Sequence, residues 1–264
     1  MSPPNDRPEL RGTQLFDLTG RVAIMTGAGR GLGRTMALAL AAAGADLALA
    51  SRTASELESL VEEVEALGRR AIAVPTDVTS PEACEVLVST TVERLGRLDI
   101  LVNNAGMNVR KPALELTPDE FDSVLQVNLK GYYNGARAAG RHFVAQGSGK
   151  LINVSSILGS VALPNQAAYA SSKGAIDQLT KVLAIEWADA TVQVNGLAPT
   201  YFETDLTRPL YEDPERKAFI EDRTPMGRWG QPHELAGAVI FLASDASDFV
   251  TGQTILVDGG WTAW

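Results

Sequence analysis

Arg21-Val-Ala-Ile-Met-Thr26 is a short apolar run, and Gly27-Ala-Gly-Arg-Gly-Leu-Gly33 follows it directly. Beyond the glycines, Leu32, Met36 and Leu40 recur at a spacing of four. An apolar run bounded by glycine reads as a buried strand, and a spacing of four as one face of a helix. Strand, glycine turn and helix together aim backbone N–H groups and a helix N-terminus at one point, which is how a chain holds a phosphate. The glycines follow G-x-x-x-G-x-G at Gly27, Gly31 and Gly33; Leu32 stands where the commoner dinucleotide spacing has its third glycine. A tight βα corner would use glycine as well, so the βαβ context has to separate the two readings.

That context follows. Asp46–Ala50 reads as a second strand ending at Ser51-Arg52, and Thr53–Leu67 as a polar helix. Ala71–Val74 is a strand ending near Asp77 and Val78. Ser80–Leu95 is a helix capped by Ser80, with Pro81 at its first position. Leu98–Val102 is a strand followed by Asn103-Asn-Ala-Gly106, and Thr117-Pro-Asp-Glu120 is a capping box opening one long helix to about Ala145. Leu151–Ser155 is a fifth strand, and the next helix buries Ile176, Leu179 and Leu183. Val192–Leu197 is a sixth strand ending at Pro199, Pro232–Ala243 a last helix and Thr254–Val257 a last strand. Strands alternating with helices predict an α/β protein with a doubly wound parallel sheet, whose ligands bind beyond the carboxyl ends of the strands. One domain over residues 18–264 accounts for the chain. Residues 200–229 break the rhythm and read as an irregular lid or specificity loop. Residues 1–17, with Pro3, Pro4 and Pro8 among charges, read as a flexible tail.

Composition removes several functions. A formal charge of −9 argues against nucleic acid and against an anionic membrane surface. No run approaches the roughly 18 apolar residues that a membrane helix needs. Cys84 is the one cysteine and cannot form an internal disulfide, which predicts a reducing, cytoplasmic setting. His142 and His233 lie far apart in sequence, with no ligand spacing around either, so no metal is expected.

The chemistry concentrates in Asn153-Val-Ser-Ser156 and Tyr169-Ala-Ser-Ser-Lys173. On a helix Tyr169 and Lys173 share a face. A lysine charge at roughly 4–5 Å, with an effective dielectric of about 20, favours the phenolate by roughly 3–4 kcal/mol, or about two to three pKa units. That would make Tyr169 a workable acid/base near neutrality. Ser156, at the end of an apolar strand, is placed to hold a substrate oxygen at the same point. Asn128 interrupts an apolar helix stripe, either as a satisfied structural amide or as part of this site. At the second strand end an unmodified ribose is usually met by an acidic residue. Here stand Ser51 and Arg52, with Arg30 inside the glycine turn, and guanidinium groups match the oxygens of a phosphate. The expected cofactor is NADP(H), with NAD(H) still possible.

The ordered set Thr26-Gly-x-x-x-Gly-x-Gly33, Asp77, Asn103-Asn-Ala-Gly106, Asn128, Ser156 and Tyr169-x-x-x-Lys173 resembles the short-chain dehydrogenase/reductase family over about Leu18 to Gly260. The resemblance implies a Rossmann-type sheet of seven parallel strands, a homotetramer, and an alcohol or ketone substrate. It implies Tyr169 as general acid/base, Ser156 orienting the substrate oxygen, Lys173 on the nicotinamide ribose, and Asn128 holding a water that links Lys173 to solvent. Cofactor contacts are implied for Gly27, Arg30, Gly31, Leu32, Gly33, Ser51 and Arg52. Asp77 and Val78 would meet the adenine, Asn104, Ala105 and Gly106 the middle of the cofactor, and Pro199, Phe202 and Thr204 the nicotinamide end. One departure is Pro199-Thr200, where the family usually has Pro-Gly; a positive φ would be costly there. Asn108-Val-Arg-Lys-Pro112 and Arg228-Trp-Gly230 are similar to sugar-acid dehydrogenases of the family, which implies a polar hydroxy or keto acid. Two alternatives stay open: a 3-oxoacyl thioester reductase, and a nicotinamide-sensing binding module without turnover.

Overall fold

The computed structural model describes residues 12–205 and 207–263. Its strands are β1 (Val22–Thr26), β2 (Asp46–Ser51), β3 (Ala71–Pro75), β4 (Ile100–Asn103), β5 (Gly149–Val154), β6 (Val192–Pro199) and β7 (Thr254–Val257). They form one sheet in the order β3-β2-β1-β4-β5-β6-β7, and every pairing is parallel. The order reverses between β1 and β4, and a crevice opens at such a switch point beyond the strand ends. The helices are α1 (Gly31–Ala42), α2 (Ala54–Ala66), α3 (Pro81–Leu95), α4 (Pro118–Leu125), α5 (Gly131–Gln146), α6 (Ala167–Glu186), α7 (Arg208–Tyr211), α8 (Pro214–Arg223) and α9 (Ala236–Ala243).

β1, β2, β4 and β5 are apolar almost throughout because both sheet faces are covered. One face packs on Met36 and Leu40 of α1, Leu57, Leu60 and Val64 of α2, and Val239 and Leu242 of α9. The other packs on Leu87 and Val88 of α3, Ala136, Ala139 and Phe143 of α5, and Leu183 of α6. A third cluster joins Ile157 and Leu158 to Leu210, Ile220, Trp229 and Trp261.

Three expectations gain detail. Residues 1–11 of the expected tail lie outside the described residues, but Gly12–Phe16 is an ordered 3₁₀ turn. Its Phe16 ring lies 6.3 Å from that of Phe241 on α9. The long helix opened by the Thr117–Glu120 capping box runs to Gln146 as expected, but through a π turn, Gln126–Lys130, that joins α4 to α5 and carries the buried Asn128. The 200–229 stretch is only partly irregular. α7 and α8 occupy it, α8 capped by Asp213 with Pro214 at its first position, and its aromatic and aliphatic side chains bury against the turn after β5.

Candidate active site

The carboxyl edge of the sheet gathers most of the residues singled out in the sequence. Lys173 on α6 is 3% exposed; its Nζ donates to Val154 O at 2.7 Å and to Tyr132 Oη at 3.4 Å. The same Nζ lies 5.5 Å from the centre of the Tyr169 ring and 5.1 Å from that of Tyr132. Tyr169 is partly exposed and, like Tyr201, packs against the cluster of Ile157, Leu158 and Trp229. Ser156 follows β5 and caps the 3₁₀ turn Ile157–Gly159: its Oγ accepts from Leu158 N at 3.2 Å and keeps its own O–H to donate.

The electrostatics differ from the sequence-based expectation. Crowding by the protein raises the Tyr169 phenol above its ordinary value, while the Ser156 hydroxyl and then the Arg110 charge pull it back and Tyr201 opposes them. Burial also draws the neighbouring Lys173 down to about 7, and the Asp177 charge opposes that shift. The phenol thus lies above its ordinary value where a depression was expected, with Ser156 and Arg110 favouring the phenolate against burial. Lys111, from the same loop as Arg110, is tied to Glu120.

Asn128 is fully buried. Its Oδ1 accepts from Met107 N at 2.8 Å, and its Nδ2 donates to Met107 O at 2.9 Å and to Ser172 Oγ at 3.1 Å. It braces the loop after β4 against the residue next to Lys173, with one acceptor lone pair remaining for a water.

The glycine turn leaves room for a phosphate. Gly31 has φ +57°, and a Cβ built there would meet only Thr204, at 3.9 Å. Arg30, at the N-cap of α1, makes no side-chain capping bond, whereas Ser80, Thr117 and Asp213 cap α3, α4 and α8. The first N–H groups of α1 are thus left for an external acceptor. Arg30 and Arg52 are both exposed, and neither enters an ion pair among the described residues. Asn104 Nδ2 is spent on Thr26 O (3.0 Å) and Gly27 O (3.2 Å), so this amide shapes the cradle. Ser51 closes a turn with Thr53, and Asp77 accepts from Thr79 N and Oγ1. Val78 is 8% exposed and packs under Gly131. The Phe202 side chain is in the core and its backbone pairs with Gly230, while Thr204 borders the glycine turn.

A family model described as Enoyl-(Acyl carrier protein) reductase, of the short-chain alcohol dehydrogenase type, matches residues 27–262. Gluconate 5-dehydrogenase of Gluconobacter oxydans (strain 621H) is 42% identical over 94% of this chain and 97% of that protein. The 2-dehydro-3-deoxy-D-gluconate 5-dehydrogenase of Escherichia coli (strain K12) is 43% identical over 94% and 98%. Among solved structures, a gluconate 5-dehydrogenase from Burkholderia cenocepacia J2315 in complex with NADP and tartrate superimposes with a TM-score of 0.92 at 44% identity, covering 95% of this chain and 98% of that one. The chain belongs to the short-chain dehydrogenase/reductase family.

As a short-chain dehydrogenase/reductase it carries Thr200 without the strain expected there. Among the described residues only Asn165 and Thr191 are non-glycine residues with positive φ, and Thr200 N instead donates to Val257 O at 3.3 Å. The residues that sequence reasoning missed are Tyr132 and Asp177. Tyr132 Oη donates to Val154 O at 3.0 Å and shares the lysine; Asp177 lies one helical turn beyond Lys173 and accepts from Thr254 Oγ1 at 3.2 Å. A spacing of four from Asn128 to Tyr132 and from Lys173 to Asp177 was the available signal. Among the described residues no group of three or more His, Cys, Asp or Glu side chains comes together to hold a metal, and no helix is long and apolar enough to cross a membrane.

Proposed function

We propose that this short-chain dehydrogenase/reductase interconverts a secondary alcohol and a ketone on a sugar acid, preferring NADP(H) to NAD(H), with Tyr169 exchanging the proton. The observation that carries the reading is a partly exposed phenol beside Ser156 and under the influence of the Arg110 charge, at the sheet edge that also bears the open glycine turn. Bound NADP(H) supplies the hydride chemistry. In oxidation Tyr169 Oη accepts the substrate hydroxyl proton, and in reduction it returns the proton to the carbonyl oxygen. Ser156 Oγ donates to that same oxygen and stabilises the charge that develops on it. Lys173, fixed by Val154 O, holds its ammonium beside the tyrosine ring. Arg110 is exposed and, unlike Lys111, enters no ion pair among the described residues, which suits it to a substrate carboxylate. Both sequence relatives are named for gluconate-type acids, which supports the same substrate class here. The nucleotide preference is supported by the exposed Arg30 and Arg52, and by the NADP held in the Burkholderia structure. A cytoplasmic homotetramer is part of this reading. The buried lone Cys84 supports the compartment, and the apolar surface of α5 and α6, with Val182 48% and Ile185 79% exposed, supports the assembly.

The test is an absorbance screen at 340 nm with both nucleotides against sugar acids, polyols, steroids and oxoacyl thioesters. Oxidation of a sugar acid is the expected result; turnover of an oxoacyl thioester alone moves the assignment to that alternative, and binding without turnover of any substrate moves it to a sensor. Tyr169→Phe should abolish turnover and leave nucleotide affinity within about twofold, since it removes one hydroxyl and no phosphate contact; a turning-over variant would refute the role of Tyr169.

A further inference from the structure

Arg34, in the first turn of α1, reaches four acceptors at once. Its Nη1 donates to Gly29 O and to Glu56 O, each at 3.3 Å. Its Nη2 donates to Ser59 Oγ at 2.8 Å and to Glu63 Oε1 at 2.6 Å. Glu56, Ser59 and Glu63 lie along one face of α2 at spacings of three and four. One guanidinium thus ties the glycine turn between β1 and α1 to the helix that follows β2. A second contact closes the same gap: a Cβ on Gly29 would sit 2.2 Å from Glu56 Oε2, so the Glu56 side chain rests directly on the turn.

The residues on either side of this joint are the two arginines assigned to the nucleotide. Arg30 follows Gly29 in the chain, and Arg52 stands just before α2. Their separation depends on how the turn is fastened to α2. The opposite side of the turn has its own fastening, because Asn104 holds the Thr26 and Gly27 carbonyls. The two sides are therefore braced independently, the β4 side by Asn104 and the α2 side by Arg34.

We infer that Arg34 is a positioning residue for nucleotide specificity: it holds Arg30 and Arg52 at the separation that a ribose 2′-phosphate requires. The inference rests on the NADP(H) reading above. Two guanidinium groups grip one phosphate only if both are already near their bound positions; otherwise ordering them consumes the affinity they provide. A nucleotide without the 2′-phosphate makes no such demand, and the turn that would take its pyrophosphate keeps the Asn104 brace when Arg34 is lost.

The test is the dissociation constant of NADPH and of NADH, read from nicotinamide fluorescence, for the parent, Arg34→Met and Arg34→Lys. Arg34→Met should raise the NADPH constant about tenfold, the scale of one lost charge-assisted contact, and the NADH constant less than about twofold. Arg34→Lys keeps a charge opposite Glu63 but cannot span four acceptors; it should recover thermal stability without recovering the NADPH preference, and it keeps the test decisive if Arg34→Met does not fold. Equal weakening of both nucleotides, or no change in either, overturns the inference. Arg52→Asp separates the two levels. If it changes the NADPH-to-NADH ratio and Arg34→Met does not, the clamp alone is wrong; if the parent binds both nucleotides equally and Arg52→Asp leaves the ratio unchanged, the NADP(H) reading falls, and the inference with it.

Discussion

Lys173 reaches its place beside Tyr169 by giving up its hydration, and the cost is visible in its titration. Burial lowers its folded pKa to about 7, with the Asp177 charge acting against burial. Tyr132 and Tyr169 are the other titratable groups against it. The unfolded value is near 10.4, so between about pH 7 and 10.4 the unfolded chain holds a proton that the folded chain lacks. Stability through this group accordingly rises with pH across that window, and the full cost of the buried charge is present below about pH 7. In Lys173→Met this dependence disappears: from pH 6 to pH 9 the thermal midpoint of the parent should climb relative to the variant. Parallel curves for the two proteins would contradict the burial account. The sequence placed Tyr169 and Lys173 on one helix face, as the structure does, but the burial that raises the phenol is not legible there. A Coulomb argument at fixed dielectric knows the charge separation but not that the lysine is 3% exposed, and it cannot see Arg110 approach from another loop.

The element that carries Ser156 is the short 3₁₀ turn Ile157–Gly159, and its position is set by α6 beneath it. A Cβ on Gly159 would lie 2.2 Å from Asp177 Oδ2 and 3.0 Å from Ser155 Oγ. Asp177 has little room to yield, since it is buried and its Oδ1 is held by Thr254 Oγ1 of β7. Gly159→Ala should therefore push Ser156 away from Tyr169 by a fraction of an ångström to an ångström and lower kcat by about 10²-fold, with the fold retained in circular dichroism. A kcat within about threefold of the parent would show that the turn does not position Ser156. The π turn Gln126–Lys130 works similarly for Asn128. Its extra residue per turn aims the amide at Met107 and Ser172, a feature that a 3.6-residue stripe read from sequence cannot register. α7 and α8 were equally invisible, because their periodicity is short and broken by Pro209 and Pro214; burial of Leu210 and Ile220 against Trp229 and Trp261 is what fixes them.

At the scale of the whole molecule, the parallel order places the ends of β1, β2 and β4 side by side, and residues distant in sequence become one binding edge. Arg30 belongs to the β1 turn and Arg52 to the end of β2, so their joint action is a property of sheet order. Arg52→Asp should raise the NADP(H) dissociation constant at least about tenfold more than that for NAD(H), since it replaces attraction to a 2′-phosphate by repulsion. Equal changes for both nucleotides would remove the 2′-phosphate assignment.

What the sequence determined alone is whatever local rules decide: seven strands with their parallel alternation, the glycine turn, the capped helices, and the shared face of Tyr169 and Lys173. Each follows from periodicity, capping or a positive φ, which involve residues within about one or two turns of one another. Tertiary structure decided the rest. It showed that Asn104 holds the turn, that Phe202 belongs to the core, that Thr200 is unstrained, that the Arg110 charge acts on Tyr169 from another loop, and that Arg34 ties the glycine turn to α2. These depend on burial and on contacts between elements far apart in the chain, and a one-dimensional pattern carries no record of which groups lose their water.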